Sequence, residues 1–154
     1  MQEIEIFCDG SSLGNPGPGG YAAILRYKDK EKIISGGESF TTNNRMELKA
    51  LNEALKILKR PCRITLYSDS QYVCQAINVW LTNWQKKNFS KVKNVDLWKE
   101  FLEVSKGHLI MAVWIKGHNG HAENERCDSL AKIEAQKHTK TTKGKNDEKQ
   151  TLSK

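Results

Sequence analysis

Two apolar, β-prone runs flank a loop of glycine, proline, asparagine and serine at the start of the chain: Ile4 to Asp9, Gly10 to Gly20, and Tyr21 to Tyr27. Such an arrangement commits the first segment to an antiparallel hairpin. Lys32 to Phe40 adds a shorter strand, weakened by Gly36 and Gly37, and completes a three-stranded meander. Asp9 closes the first run. Asp-Gly is a common turn dipeptide, which is one reading of Asp9. A carboxylate buried at a strand end without a partner is costly, which is the other. The hairpin alone leaves both open.

The hydrophobic period then changes. From Asn44 to Arg60 the residues Met46, Ala50, Leu51, Ala54, Leu55 and Leu58 recur at steps of three and four, the pattern of one helix face, and Pro61 ends it. Thr42, Asn43 and Asn44 are the candidate N-caps. Glu47 shares the core-facing side with Leu51, Ala54 and Leu58. Its competing explanation is a capping box, Asn44-Arg45-Met46-Glu47.

Arg63 to Asp69 reads as a fourth strand that again closes on an acid, with a helix starting at Ser70. A helix between it and the meander favours parallel pairing with the first strand, so Asp9 and Asp69 emerge at one edge, where open mixed sheets bind ligands. Val95 to Lys106 forms a further helix and His108 to Lys116 a fifth strand, followed by the loop Gly117 to Ala122 with His118 and His121. The last helix starts near Glu123 or Asn124 and turns Cys127, Leu130, Ala131 and Ala135 inward. Asp128, three residues before Ala131, can face inward too, or simply answer the helix dipole. Residues 1–136 form the expected domain. Residues 137–154, with six lysines against Asp147 and Glu148, form an expected basic, disordered tail.

Asp9, Glu47, Asp69 and Asp128 each have a bland explanation, but one cause is simpler than four coincidences. Carboxylates gathered in a cleft repel each other and call for a cation. An all-oxygen donor set selects magnesium or manganese, and zinc fits poorly because no cysteine or third histidine joins His118 and His121 at metal spacing. Two such ions roughly 3.5 to 4 Å apart can activate a water and stabilise the leaving oxygen of a phosphodiester.

The formal net charge of +7 suits an anionic partner. Between Trp80 and Lys93 the chain interleaves Trp80, Trp84 and Phe89 with Lys86, Lys87, Lys91 and Lys93 and has no acid, a pattern that fits either a nucleic-acid surface or a solvated amphipathic helix. No apolar run approaches a membrane span and the start lacks a signal-peptide pattern, so the expectation is a cytoplasmic protein without membrane attachment. Cys8, Cys62, Cys74 and Cys127 lack Cys-x-x-Cys spacing and read as reduced structural thiols.

Together, Asp9-Gly10-Ser11, Gly14 to Gly20, Thr41 to Leu48, Ser68 to Val73, Val92 to Trp98, Lys116-Gly117-His118 and Glu123 to Asp128 resemble the bacterial type 1 ribonuclease H family, in order and at matching spacing over residues 3 to 135. The resemblance implies an α/β ribonuclease H-like fold: a five-stranded mixed sheet, strands 1 to 3 antiparallel and 4 and 5 parallel to strand 1, flanked by helices. It implies an endonuclease that cuts the RNA strand of RNA/DNA hybrids with little sequence specificity, leaving 5′-phosphate and 3′-hydroxyl ends. Asp9, Glu47, Asp69 and Asp128 match its ligands for two magnesium ions, with manganese as a substitute, and His118 its loop histidine for proton transfer or product release. Ser12, Asn15, Asn43, Asn44 and Gln71 match minor-groove contacts, and Thr42 a contact to the DNA phosphate. Trp80 to Lys93 resembles a basic protrusion, about five residues shorter and with Phe89 where tryptophan is common. Monomeric action without an obligate protein partner is expected.

Overall fold

A computed structural model describes residues 1–116 and 121–151, with side chains described through Thr139. Its elements are β1 (Gln2–Ser12), β2 (Gly17–Tyr27), β3 (Lys30–Thr41), α1 (Asn43–Lys56), β4 (Cys62–Ser68), α2 (Gln71–Gln75), a π-helical turn (Ala76–Trp80), α3 (Leu81–Lys86), α4 (Val95–Val104), β5 (Leu109–Trp114) and α5 (Ala122–Thr151). The five strands form one sheet in the order β3-β2-β1-β4-β5. β1 to β3 pair antiparallel, β4 runs parallel to β1, and β5 parallel to β4. This is the mixed sheet expected from the sequence, and the crossover through α1 is what makes β1 and β4 parallel.

Alternation along the strands builds two cores. Ile4, Ile6, Cys8, Ala23, Leu25, Ile64 and Leu66 face α1 and α4, where Leu48, Leu51, Leu55, Trp98 and Phe101 complete the larger cluster. Phe7, Ala22 and Ile24 point the other way, against Cys127 and Leu130 of α5. Gly20 permits that second contact, because a Cβ there would meet the Ala131 carbonyl and the Ala135 nitrogen. All four cysteines are buried free thiols, and burial pushes Cys74 up to about 11 and Cys127 up to about 12, which suits inert structural residues.

Element ends differ from expectation chiefly in three places, the first being the hairpin, where β1 runs on to Ser12 and β2 starts at Gly17 inside the expected loop. α1 stops at Lys56 rather than Arg60, with Ile57 as its C-cap, several residues before Pro61. α5 carries helical backbone through Thr151, so the boundary expected at 136–137 falls inside a helix. No proline interrupts this stretch, so the packed first half of the helix can extend into it. A side chain at Gly37 would run into the His138 ring, which places α5 against β3 beyond residue 136. No helix among the described residues is long and apolar enough to cross a membrane.

Candidate active site

The carboxyl edge of β1 and β4 meets the first turn of α1 at a cleft of about 350 Å³, lined by Asp9, Gly10, Asn43, Asn44, Glu47, Asp69, Ser70, Gln71, Tyr72 and Asp128. Asp9 and Glu47 are 6% and 5% exposed, whereas Asp69 stands at the open side. One carboxylate oxygen from each of the three lies within 4.8 Å of the others. Asp128 borders the same cleft from α5, where Lys132 one turn on pairs with it at 3.0 Å.

Gly10 makes this geometry possible. Its amide donates to Asp9 Oδ1 at 2.9 Å and to Glu47 Oε1 at 3.0 Å, so one N–H serves two acids. A Cβ there would collide with the backbone of Met46 and Glu47. Glycine is therefore what lets α1 approach β1 closely enough to bring Glu47 beside Asp9. Ser68 Oγ donates to Glu47 Oε2 at 3.5 Å and accepts from the Ser70 amide at 3.0 Å. Ser70 in turn caps α2 by accepting from the Val73 amide at 3.1 Å. The Trp114 indole donates to the Asp69 carbonyl at 3.0 Å, which ties this acid's backbone to β5. Neither Gly10 nor Ser68 was singled out for the site from the sequence; the Asp-Gly and Ser-Asp dipeptides were their only signal.

The capping-box explanation of Glu47 does not hold. Thr42 is the N-cap of α1 and its hydroxyl accepts from the Arg45 amide at 3.2 Å, which puts Glu47 beyond capping reach and leaves it to Gly10. Electrostatics show what the crowding does. Burial, with the charges of Asp69 and Asp128 adding to it, pushes Asp9 up to about 6. Burial also drives Glu47 well above the usual carboxylate range, with Asp9 as its nearest charged neighbour. Such a pair resists double ionisation unless a cation joins it. The donors are all oxygen, so a hard divalent ion such as magnesium or manganese fits.

Beside the acids, Ser12, Asn15 and Asn43 form a small polar platform. Asn43 Oδ1 accepts from the Ser12 amide at 2.7 Å and from its hydroxyl at 3.1 Å, while Asn15 Oδ1 accepts from the Asn43 amide at 3.1 Å. The Asn15–Pro16 peptide is cis. Asn44 and Gln71 line the cleft itself. On the far side Arg45 grips Asp96 through two bonds of 2.9 and 2.6 Å and reaches Asn94 at 3.3 Å, which fixes the end of the lysine-bearing segment to α1.

Profile comparison matches residues 1–136 to the family described as RNase H. The chain belongs to the RNase H family. A Ribonuclease H of Helicobacter pylori (strain HPAG1) is 95% identical over 92% of this chain and 99% of its own length. The crystal structure of LC9-RNase H1, a type 1 RNase H with the type 2 active-site motif, has a TM-score of 0.81 at 27% identity and covers 90% of this chain and 74% of that one. The structure of LC11-RNase H1 in complex with an RNA/DNA hybrid shares the fold, with a TM-score of 0.64 at 23% identity over 88% of this chain and 98% of that one. As a ribonuclease H the chain is an endoribonuclease, a phosphodiester hydrolase.

Of the residues singled out in the sequence, Asp9, Glu47, Asp69, Asp128, Asn43, Asn44 and Gln71 gather at the cleft, with Ser12, Asn15 and Thr42 beside it. His118 lies outside the described residues. The Trp80 to Lys93 stretch divides. Lys86, Lys87 and Lys91 are exposed, Trp80 is 40% exposed, and Trp84 packs between Trp80 and Trp98 at ring distances of 5.9 and 5.6 Å. Phe89 is buried in the larger core, so its ring serves packing rather than base stacking. Interleaving of aromatics and lysines could not separate the two uses, because both need an aromatic every few residues.

Proposed function

We propose that this ribonuclease H hydrolyses the RNA strand of RNA/DNA hybrids at the Asp9, Glu47, Asp69 and Asp128 cleft with two divalent cations. The observation that carries this reading is the convergence of Asp9, Glu47 and Asp69 within 4.8 Å, two of them held protonation-prone by burial. Asp9, Glu47, Asp69 and Asp128 would hold magnesium, or manganese in its place, which would supply charge neutralisation and a nucleophilic water at neutral pH. Gly10 and Ser68 orient the carboxylates beforehand, so little reorganisation accompanies the reaction. Water attacks phosphorus in line and the P–O3′ bond breaks, the departing oxygen taking up a proton. The products carry a 5′-phosphate and a 3′-hydroxyl.

The Ser12, Asn15 and Asn43 platform, with Asn44 and Gln71, offers short donors and acceptors on the rim of the cleft. These match a minor groove that displays 2′-hydroxyls, groups that both donate and accept. Thr42 and the exposed Lys86, Lys87 and Lys91 suit phosphates, contacts that position a duplex without reading its sequence. LC11-RNase H1, which shares the fold, has been crystallised on an RNA/DNA hybrid. The protein acts as a monomer in the cytoplasm on this reading.

Labelled hybrid, duplex RNA and duplex DNA, each incubated with magnesium, manganese or chelator, test the proposal. The expected result is endonucleolytic loss of the hybrid's RNA strand with either metal and none with chelator. Cleavage of duplex DNA with the hybrid intact would overturn it, and binding of hybrid without any metal-dependent cleavage would instead mark a silent binding module.

A further inference from the structure

Beneath the acids lies a second layer in the same register. Phe7 and Tyr67, each two residues before Asp9 and Asp69, are partners across β1 and β4, with rings stacked at 5.0 Å and 12°. α5 reaches this layer with two side chains three residues apart. Asn124 Nδ2 donates to the Tyr67 carbonyl at 3.3 Å, and Cys127 Sγ donates to the Phe7 carbonyl at 3.4 Å. His121 closes the layer, its ring edge-on to Tyr67 at 4.8 Å and to Phe7 at 5.7 Å, while its carbonyl accepts the Asn124 amide at 3.0 Å. Asp128 follows Asn124 by four residues and therefore sits one turn further along the same helix face.

Asn124 is a poor choice for stability alone. It is 9% exposed, and its Oδ1 is a buried acceptor with no partner among the described residues. Leaving such a group unpaired carries a desolvation cost that an aliphatic side chain of similar shape avoids. What asparagine supplies instead is one directional bond from α5 to β4, the strand that Asp69 directly follows. The other flank of the helix start is tied to β2 and β3 through Arg26–Glu123 at 2.6 Å and Arg126–Glu31 at 3.0 Å. Exposed ion pairs of that kind hold weakly.

We propose that Asn124 is a positioning residue, fixing α5 on β4 so that Asp128 is held at the cleft that Asp9, Glu47 and Asp69 line. It rests on the assignment of Asp128 as a cation ligand made above. Groups that orient metal ligands in this way change affinity or activity by about 10–100-fold when removed.

Asn124→Leu, with Asn124→Ala as a second variant, is compared with Asp128→Asn by manganese titration calorimetry, hybrid kinetics and thermal unfolding without divalent ions. Both Asn124 variants are expected to weaken manganese binding and lower kcat about 10–100-fold, with KM for the hybrid within about twofold. Excess manganese recovers part of the rate, and metal-free Asn124→Leu unfolds no lower than the parent. Unchanged manganese affinity and kcat in both variants, with Asp128→Asn impaired, would overturn the positioning role alone. So would a fall in unfolding temperature that tracks the fall in kcat. Unchanged behaviour of Asp128→Asn would remove the ligand assignment beneath it.

Discussion

The carboxylate cleft and the lysine-bearing segment after α3 belong to one enzyme and are built on opposite rules. In the cleft every acid is placed in or directly beside regular structure: inside β1 for Asp9, the second turn of α1 for Glu47, the residue after β4 for Asp69, and a packed helix for Asp128. The Gly10 amide serves both buried acids and the Ser68 hydroxyl serves Glu47. Residues 87–94 instead form turns with left-handed φ at Asn88, Phe89, Lys91 and Asn94, anchored from below by buried Phe89 and at the end by the Arg45–Asp96 pair. Their lysines project into solvent. Chemistry at a fixed phosphorus needs carboxylates held in place before substrate arrives. Attraction to a phosphate backbone needs only charge nearby, and tolerates side chains that move.

The sharpest way to break this contrast is at the cleft. Asp69→Asn keeps the shape of the side chain and removes one charge from the trio, so turnover is expected to fall by at least about 10³-fold while hybrid binding in a mobility-shift assay changes little. A rate near that of the parent would refute Asp69 as a ligand. Next in size is a stability effect. Burial pushes Asp9 up to about 6 in the folded chain, from an ordinary value of 3.8. A raised acid binds more protons folded than unfolded, so stability is greatest below about pH 4 and declines as pH rises to about 6 in the absence of divalent ions, by roughly 2–3 kcal/mol. Asp9→Asn, inactive as an enzyme, is therefore expected to unfold later than the parent at pH 7 without magnesium and to flatten that pH dependence. Added magnesium stabilises the parent and not the variant. Chemical denaturation from pH 4 to 7 measures both effects, and a parent whose stability rises over that range would contradict the buried-acid account.

How much could be read from the sequence follows the same division. The hairpin, the switch from period two to period 3.6 and back, and the acid at each strand end made the sheet order and the cleft legible, because regular structure repeats its pattern in the chain. Glu47 could not be decided by position: Asn44 and Glu47 stand at capping-box spacing, and only the close approach allowed by Gly10 shows which partner wins. Asn124 was legible only as a helix start, since its bond to Tyr67 spans 57 positions. Beyond residue 137 the backbone of α5 continues through a lysine-rich stretch whose lack of apolar period carries no packing signal. Phe89 was misjudged for the opposite reason, an aromatic among lysines that is used from beneath.

The smallest expected effect comes from the lysines, and it sharpens the comparison. Lys86, Lys87 and Lys91 are exposed, and among the described residues their side chains make no hydrogen bond or ion pair. Their loss removes attraction without disturbing the acids. Lys86→Ala, Lys87→Ala and Lys91→Ala combined should raise KM for the hybrid about 3- to 30-fold at moderate salt and leave kcat within about twofold, since each phosphate contact is a uniform contribution to binding. The slope of log KM against log salt should flatten by about one unit for each lysine that meets a phosphate. A slope that flattens by about three places all of them on the duplex. One that flattens by about one leaves a single contact, with the other two lysines acting only through the general field. Unchanged kinetics from low to high salt would mean that the segment is a solvated face, and that the charge drawing in the hybrid lies elsewhere on the molecule.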